Sequence, residues 1–456
     1  MKANRKKWIW ITGMALLPFA VIAQKTTVGR RDSATTIHEF TAQQAVEYGK
    51  KNNVQVKNAL LDVRIQEQTN REVTGSALPQ LSGSGSMTYN AKLPVSLVPA
   101  EFFGGPAGTF EKIAFGLKWN STVGLSISQI LFDGQVFIGL KARNTLIDFQ
   151  QKNVEVTEET IKANIYKIYY QLVVSKTQIE LLDANMDLLN KLQHDTKAMY
   201  DNGFAERLDM DKLAVQLANL QTEKTNALNQ IANGYLGLKV LMGMPVTDSL
   251  VLTDSLNDDE VKAGVLEASN FDYSQRKEYQ YAELGVKLGE FDVRRYKLSK
   301  IPTLKLDGYY NKNAQRDKFD LFGKGDWFNI SAFTLNMNIP IFNGFATNAR
   351  IAKAKYSLQQ SVNQQEALRN NIDNEIQTST NNFKSAITSL DYQKKNMKLA
   401  EDVYQQTKKK FEAGTGSQTE INQAQTDMKT AQTNYINSLY NAIIARVDFL
   451  KATGKL

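Results

Sequence analysis

The sequence predicts a mixed α/β fold in which the chain is internally duplicated. Three observations lead to this fold class: two very long stretches without Gly or Pro, four amphipathic segments of strand type, and a repeat of both patterns at a spacing of about 210 residues. Each half follows the order helix, strand, loop, strand, very long helix, turn and helix. We therefore expect long coiled-coil helices joined to four strands in each copy of the chain.

The N-terminus has the form of a secretory signal peptide at residues 1–23. Basic residues precede an apolar run from Trp8 to Ile22, and Ala23 is a small residue of the kind that signal peptidase accepts. The apolar run is shorter than the ~20 residues that a membrane-spanning helix needs. We expect cleavage after Ala23, export of the mature chain, and a separate N-terminal segment at residues 24–35.

The composition excludes several functional classes. The chain has 456 residues with no Cys and two His, so disulfides, thiolate metal sites and a cysteine nucleophile are excluded. The formal net charge is +8, but about half of it lies in the signal peptide, which weakens a nucleic-acid interpretation. No GxSxG, HExxH, P-loop or dinucleotide motif occurs. We expect no enzyme activity, no catalytic residue, no metal site and no cofactor.

Two stretches without Gly or Pro predict helices of unusual length. Between Gly139 and Gly203 lie 63 such residues, and between Gly344 and Gly414 lie 69. At a rise of 1.5 Å per residue, such helices are roughly 95–105 Å long. Apolar residues of the first stretch are spaced alternately four and three apart, as in a coiled coil. They are Ile161, Ile165, Ile168, Leu172, Ile179, Leu182, Met186 and Leu189, with the polar Ser175 in the same seam.

Four segments alternate apolar and polar residues over about ten positions or more, which is longer than most strands of soluble sheets. These strands are expected at residues 81–90, 119–132, 303–313 and 327–341. Aromatic residues lie within these segments or near their ends, and we expect them to form girdles at the membrane interfaces. They are Tyr89, Trp119, Tyr309, Tyr310, Trp327 and Phe328.

Four strands are too few to close a membrane barrel, for which about eight are the minimum. An open sheet edge in lipid leaves backbone groups unpaired, which costs several kcal/mol for each group. The barrel must therefore be shared between copies, with eight strands from two copies or twelve from three. A helical tunnel that encloses a lumen favours three copies, although the spacing alone leaves both numbers open.

Three matches define the duplication. Residues 125–148 and 200–243 align with segments 210 and 211 residues further along the chain. Leu78 and Pro79 align with an Ile-Pro pair 223 residues further along. The expected organisation is a first repeat at 36–243 with helices at 134–200 and 207–242, an equatorial linker at 244–264, and a second repeat at 265–456 with helices at 345–411 and 418–452.

Three segments carry a resemblance to a known family. Residues 339–344, Ile-Pro-Ile-Phe-Asn-Gly, join a strand to a long helix. Residues 200–243 run from a Tyr-Asp-Asn-Gly turn to a terminal Gly, and residues 411–454 repeat that pattern from Phe-Glu-Ala-Gly onwards. In their order and spacing these segments resemble the TolC-like family of outer-membrane efflux channels. The resemblance covers about residues 36–454.

The resemblance implies a homotrimer with a twelve-stranded β-barrel in the outer membrane, surrounded by lipid, and a long α-helical barrel in the periplasm. Such a channel is the passive exit duct of a tripartite efflux pump or of a type I secretion system. A periplasmic adaptor protein opens it and joins it to an inner-membrane transporter. The cargo stays open, because drugs, metals, dyes and proteins all pass through such ducts.

In the family, two helix-turn-helix tips close the periplasmic end and meet the adaptor. By resemblance, the tips are Gly203, Phe204, Ala205, Glu206 and Arg207 in the first repeat and Gly414, Thr415, Gly416 and Ser417 in the second. The residues at the gate are Asp209, Phe411, Glu420 and Gln423. Three copies of Asp209 and of Glu420 would line the constriction and favour cations. Alternatively, both acids complement the N-terminus of a helix.

Three positions depart from the pattern of some family members. Gln423 stands where those members have a second lumenal acid, Gly416 where they have a tip Arg, and Phe411 where they have a Tyr. Their hydrogen-bonded latch is therefore not expected in the same form here. We expect a gate that closes by packing or with a different strength.

Two other interpretations stay open from the sequence. An exported structural or adhesive coiled coil without a pore would be a soluble periplasmic protein. A periplasmic adaptor also carries helical hairpins, but with smaller β-domains. The loop at 91–118 joins two strands and is expected outside the cell, as a folded cap or as a partner site.

Overall fold

The computed structural model describes residues 37–255, 261, 271–320 and 325–456. The expected signal peptide, the expected N-terminal segment up to residue 35 and part of the expected linker lie outside the described residues. None of the helices in the described ranges is long and apolar enough to cross a membrane.

The elements follow one another in two similar series. The first is β1 Ile37–Phe40, α1 Ala42–Asn52, α2 Val54–Ser76, β2 Gln80–Tyr89, β3 Val95–Pro99, β4 Phe110–Ala114, β5 Trp119–Phe132, α3 Gly134–Asp201, α4 Arg207–Met242 and β6 Ser249–Leu252. The second is α5 Lys277–Leu298, β7 Thr303–Arg316, β8 Phe328–Asn338, α6 Ala346–Glu412 and α7 Gln418–Ala452. The chain is therefore rich in helix and carries a smaller set of strands.

Two pairs of very long helices dominate the molecule. α3 has 68 residues and α6 has 67, so each is about 100 Å long. Asp133 caps the start of α3, because its side chain accepts a hydrogen bond of 2.8 Å from the backbone N–H of Gln135. α4 returns along α3, and α7 returns along α6. We call α3 and α4 the first hairpin and α6 and α7 the second hairpin.

The expected coiled-coil seam is the face that α3 buries. Its buried members are Ile161, Ile165, Leu172, Leu182 and Leu189. Near the tips, Leu182 and Leu189 belong to a cluster that also contains Tyr404, Phe411 and Ile421 from the second hairpin. Apolar packing therefore joins the two hairpins in this part of the molecule.

The end of each return helix is held by a side chain from an earlier segment. The amide of Asn53 donates a hydrogen bond of 2.6 Å to the carbonyl oxygen of Leu241. The guanidinium of Arg276 donates one of 2.9 Å to the carbonyl oxygen of Ala452. Asn53 and Arg276 are both buried. We call these contacts the first joint and the second joint.

A four-stranded antiparallel sheet has the order β2-β5-β7-β8. Its strands lie close to the segments that alternation predicts. β7 continues to Arg316, beyond the expected end at 313. β8 ends at Asn338, before the expected end at 341, and Pro340 lacks the N–H that a ladder would need. Within the described residues, the outer edges of β2 and β8 have no strand partner.

A short parallel pair, β1 with β6, lies beside the helices. The hydroxyl of Tyr169 on α3 donates to the carbonyl oxygen of Phe40 at 2.8 Å, which ties this pair to the first hairpin. Burial raises the pKa of Tyr169 to about 12, so the hydroxyl keeps its proton. This pair joins β1 to the described part of the expected equatorial linker.

The loop at 91–118 is folded. β3 and β4 pair antiparallel within it, and a short 3₁₀ turn, Ala100–Phe103, lies at its tip. The hydrogen bond from the N–H of Asn90 to the carbonyl of Lys118, at 2.7 Å, continues the β2–β5 ladder towards this hairpin. We call residues 94–115 the outer hairpin.

Candidate functional site

The four-stranded sheet has one apolar and one polar face. The strand register decides which side chains share a face, because directly opposed residues lie on the same side. The apolar face carries Leu81, Met87, Tyr89, Trp119, Val123, Leu125, Ile127, Leu306, Tyr310, Phe333, Leu335 and Met337. The same face also carries six polar or charged residues, which are Ser121, Gln129, Lys312, Arg316, Asn329 and Ser331. The polar face carries Ser82, Ser84, Ser86, Thr88, Asn120, Thr122, Ser126, Ser128, Lys305, Asp307, Asn311, Asn313, Thr334 and Asn336.

Hydrogen bonds link the polar side chains across the strands. The hydroxyls of Ser82 and Ser126 lie 2.7 Å apart. The amide of Asn313 donates to Asn120 at 2.8 Å, and that of Asn336 donates to Asp307 at 2.7 Å. Hydroxyls, amides and one carboxylate therefore link neighbouring strands on the polar face.

The aromatic residues divide between the two faces. Tyr89 and Trp119 lie opposite each other at one end of the apolar face, with ring centroids 4.7 Å apart. Tyr310 is on the same face but mid-strand, opposite Leu125. Tyr89 and Trp119 agree with an apolar surface that has an aromatic end, whereas Tyr310 lies away from that end.

The structure places Tyr309 and Phe328 on the polar face, which corrects the expectation of girdle positions for all six aromatics. Tyr309 lies opposite Ser126, and Phe328 lies opposite Asn313. Successive residues of a strand point to opposite faces, so Tyr309 and Tyr310 cannot share one surface. The sixth aromatic, Trp327, precedes β8 and is half-buried.

The two hairpin tips are tight turns built on glycine. Gly203 has φ of +81° and Gly414 has φ of +72°, a left-handed conformation that costs Gly little. In the first tip, the N–H of Phe204 donates to the carbonyl of Met199 at 2.8 Å. In the second tip, the N–H of Thr415 donates to the carbonyl oxygen of Lys410 at 3.0 Å.

The predicted tip residues form the surface of these turns. Exposed members are Gly203, Phe204, Glu206, Arg207, Gly414, Thr415 and Ser417, whereas Ala205 and Gly416 are half-buried. The ring of Phe204 is 81% exposed, which leaves a large apolar group at the end of the first hairpin. Gly416 is close-packed, since an added Cβ would lie 3.0 Å from the backbone nitrogen of Phe411. An Arg at this position would need that neighbour to shift.

Both gate acids lie in the first turn of a return helix. The carboxylate of Asp209 on α4 is 3.6 Å from the ammonium of Lys212. Glu420 on α7 completes a capping box, in which its N–H donates to the hydroxyl of Ser417 at 3.2 Å and its carboxylate accepts from the N–H of Ser417 at 3.4 Å. The helix-end role is therefore present within one copy of the chain.

Gln423 forms a hydrogen bond with Asp427, an acid that the sequence analysis missed. Its amide donates to the carboxylate of Asp427, one helical turn further along, at 2.8 Å. The spacing of four residues on one helix is the signal that identifies this pair. Asp427 therefore lies on the same side of α7 as the position where some relatives have a second acid.

Phe411, a predicted gate residue, packs in an apolar cluster. It is buried beside Tyr404 and Ile421 in the cluster that joins the hairpins. Burial raises the pKa of Tyr404, which keeps its hydroxyl neutral. A cleft of about 250 Å³ lies against this cluster, and Lys191, Asp195, Lys408 and Glu412 are among its lining residues.

Polar contacts between the hairpins form a second group that the sequence analysis missed. The ammonium of Lys429 on α7 lies 2.5 Å from the carboxylate of Glu223 on α4. The amide of Asn185 on α3, 3% exposed, donates to the side-chain oxygen of Gln432 on α7 at 2.9 Å. These partners are more than 200 residues apart, so no local spacing could have identified them.

Comparison with known proteins gives these features a family context. Residues 274–455 match the family described as outer membrane efflux protein. TolC of Vibrio cholerae is 19% identical over 340 residues, which are 74% of this chain and 77% of TolC. The outer membrane efflux protein BepC of Brucella suis is 20% identical over 413 residues, 89% of this chain and 83% of BepC.

A solved structure decides the fold. The crystal structure of CusC superposes with a TM-score of 0.75 at 15% identity, covering 91% of this chain and 92% of CusC.

The resemblance to the TolC-like efflux channels is confirmed. The helix-rich α/β fold is that of outer-membrane channel structures, and the outer membrane is the localisation that the relatives' names carry. The chain is thus similar over most of its length to outer-membrane efflux channel proteins. The matched family is one of channels rather than of enzymes, and the alternative of a coiled coil without a pore is not favoured.

Proposed function

We propose that three copies of this chain close a twelve-stranded barrel in the outer membrane, and that the helices continue the barrel as a periplasmic exit duct. The observation that carries this proposal is the four-stranded sheet, which has one apolar face, one polar face and two edges without a partner among the described residues. Closure removes both edges, which lipid would otherwise leave unpaired at several kcal/mol for each group.

Strand direction supports closure between identical copies. The strands alternate in direction along the order β2-β5-β7-β8, so β2 and β8 run in opposite directions. Joining β8 of one copy to β2 of the next therefore keeps the antiparallel alternation. The apolar face would meet lipid, and the polar face would line the lumen.

The sheet adds no net charge to this lumen. On the polar face of the described strands, the charged residues are Lys305 and Asp307, which lie 3.2 Å apart as an ion pair. We therefore assign ion selectivity to the tips, where Asp209 and Glu420 of three copies would form acidic rings. Gln423 and Asp427 would extend this lining along α7.

The duct is passive in this proposal. A periplasmic adaptor contacts the tips, including the exposed ring of Phe204, and shifts a closed–open equilibrium by separating the second hairpin from the first. An inner-membrane transporter supplies the energy, as in tripartite pumps or type I secretion systems.

Planar-bilayer recording of the purified mature protein tests the proposal. We expect a conducting, cation-selective pore that divalent cations block from the tip side. Glu420→Gln should weaken this selectivity and block, because it removes charge while keeping an oxygen that can accept from Ser417. Glu67→Gln, on α2, is the control and should leave both unchanged. Absence of conductance would contradict the duct, and unchanged selectivity in Glu420→Gln would contradict the lining role.

A further inference from the structure

The outer hairpin is internally well fixed. The N–H of Ala100 donates to the carbonyl of Thr109 at 2.9 Å, and the N–H of Gly105 donates to that of Ala100 at 2.8 Å. The carboxylate of Glu101 accepts from the N–H of Gly108 at 3.1 Å. Its tip is therefore a built turn with satisfied backbone groups, although it has almost no core of its own.

The same hairpin exposes most of its apolar side chains. They are Val95, Leu97, Phe102, Phe103, Phe110 and Phe115. In the β3–β4 register, Val95, Leu97 and Phe110 share one face with Lys112, which lies directly opposite Leu97. Phe102 is 78% exposed and Phe103 is 60% exposed at the tip. A cluster of exposed apolar side chains of this kind marks a candidate interaction site.

The position of the hairpin argues against lipid as its partner. The Tyr89–Trp119 aromatic pair marks the end of the apolar sheet face, the level at which aromatics meet the membrane surface. The charged residue Lys118 comes directly before Trp119 in the chain, and its carbonyl accepts from the N–H of Asn90. β3 begins six residues beyond Tyr89, up to about 20 Å along an extended chain. With Tyr89 and Trp119 at the membrane surface, the outer hairpin would lie on the water side of that level.

The path of the chain identifies the partner. β3 follows β2, and β2 is the edge strand that meets the neighbouring copy in the proposed trimer. Three identical hairpins would therefore rise from the subunit boundaries around one outlet. Three-fold symmetry repeats the same apolar surface on each copy around the shared axis. Among the described residues at this end of the sheet, Phe319 is also exposed, but it packs against Trp119 with ring centroids 5.1 Å apart.

We propose that the three outer hairpins pack their apolar faces together above the outlet, and so form a second constriction on the cell exterior. This inference rests on the proposed trimer. The duct would then have a gate at each end: the periplasmic tips, and an outer cap held by apolar contacts. Cargo leaving the barrel has to separate the hairpins, and apolar or amphipathic cargo can replace their mutual contacts.

Disulfide trapping tests the cap, since the chain has no Cys of its own and any introduced Cys is unique. Phe103→Cys places one thiol on each tip. We expect oxidation with copper phenanthroline to give covalent dimers on a denaturing gel, because one thiol per copy allows one disulfide between two of the three copies. Ser96→Cys is the matched control: it lies on the opposite face of β3 and should give few dimers while reacting equally with a soluble maleimide.

The native mass of the same samples separates the possible failures. A trimer in which Phe103→Cys does not cross-link, or cross-links no more than Ser96→Cys, overturns the cap and leaves the shared barrel intact. A monomer overturns both. A bimane label on Phe103→Cys that brominated phospholipids quench would show that lipid covers the hairpin, which also overturns the cap.

Channel recording provides an independent test. Replacing residues 94–115 by a short Gly-Ser turn should raise the conductance of channels whose tips are open, by about twofold or more if the outlet is the narrower end. Oxidised Phe103→Cys should conduct less than the reduced protein. Equal conductance in all three preparations would contradict an outer constriction.

Discussion

The first and second joints have the same geometry but different chemistry. Asn53 and Arg276 are separated by 223 residues, and the carbonyls that they bind, on Leu241 and Ala452, are separated by 211. Both spacings also occur among the sequence matches that suggest the duplication. Next to each joint, a Gly with φ near +70° ends the return helix, at Gly243 and Gly454.

The first joint is neutral and the second is ionic. Asn53 offers one amide to the helix end and also caps α2 by accepting from the N–H of Gln55 at 2.7 Å. Arg276, 3% exposed, binds in addition the carboxylates of Glu278 at 3.1 Å and Glu375 at 2.9 Å. Although burial alone lowers the pKa of Arg276, these carboxylates raise it. Because Glu375 lies on α6, the second joint holds both helices of its hairpin.

The comparison suggests that the two halves preserve a position and not a residue type. Each half needs a donor at the last carbonyls of its return helix, which have no partner within the helix. In the first half, the backbone at Asn52 and Asn53 lies close to the end of α4, so the short amide of Asn53 reaches the carbonyl of Leu241. In the second half, the longer side chain of Arg276 reaches the equivalent carbonyl and also forms ion pairs with Glu278 and Glu375.

The largest expected loss of stability comes from a substitution at Gly243, and a smaller loss is expected at Gly454. A Cβ at Gly243 would lie within contact distance of the backbone oxygen of Asn52 and overlap it, whereas one at Gly454 would lie 3.0 Å from that of Gln275. Both substitutions force a left-handed conformation, at about 1–2 kcal/mol. Overpacking against backbone adds about 1–3 kcal/mol at Gly243. Gly243→Ala should therefore lower the thermal midpoint of the helical circular-dichroism signal more than Gly454→Ala. Equal shifts would contradict the closer fit of the first joint.

Breaking the ionic joint should have the next largest effect. Arg276→Met leaves two carboxylates and a helix-end carbonyl without their partner, and we expect a loss of about 2–3 kcal/mol, because the two acids are themselves partly exposed. Chemical unfolding of the detergent-solubilised protein measures it. Arg294→Met, which removes an exposed pair with Glu290 on α5, is the control and should be nearly neutral. A similar loss of stability in Arg276→Met and Arg294→Met would contradict a special role of the second joint.

The neutral joint should be weaker. Asn53→Ala removes the cap of α2 and the bond to Leu241, for an expected loss of about 1–2 kcal/mol in the same assay. Asn52→Ala is the neighbouring control, since its side chain bonds only to the preceding turn and to Lys57 among the described contacts. A loss for Asn53→Ala greater than that for Arg276→Met would reverse the comparison.

The smallest change in stability should come with a change in gating. Lys429→Glu breaks the tie between the hairpins to Glu223, whereas Lys224→Glu breaks a pair with Asp183, at 2.5 Å, inside the first hairpin. Each partly exposed pair contributes at most about 1 kcal/mol. A shift of that size changes an open-to-closed ratio about fivefold.

Single-channel recording separates these two pairs. We expect a higher open probability for Lys429→Glu, its return towards the native value in Lys429→Glu with Glu223→Lys, and little change for Lys224→Glu. An equal response of Lys429→Glu and Lys224→Glu would show that the tie between the hairpins does not control opening.

The sequence predicted features that depend on local pattern. Stretches free of Gly and Pro located the long helices, and alternation located β5 at residues 119–132 as the structure has it. The faces of Tyr309 and Phe328 depend on strand register, which pairing sets and local pattern does not. Partners such as Asn185 and Gln432 are brought together only by packing of the two hairpins.

The outer hairpin shows the same limit. Its apolar composition was visible in the sequence, but its strands depend on the pairing of residues 95–99 with 110–114. Two aromatic residues at its tip resemble a small core until the structure shows that they are exposed.

The native mass of the mature protein, extracted in detergent from outer membranes, tests the central claim most directly, because the two unpartnered sheet edges require other copies. We predict a stable assembly of three chains, with light scattering corrected for bound detergent. A monomer that stays folded, or recovery of the protein in the soluble periplasmic fraction, would contradict the shared barrel and with it the exit duct.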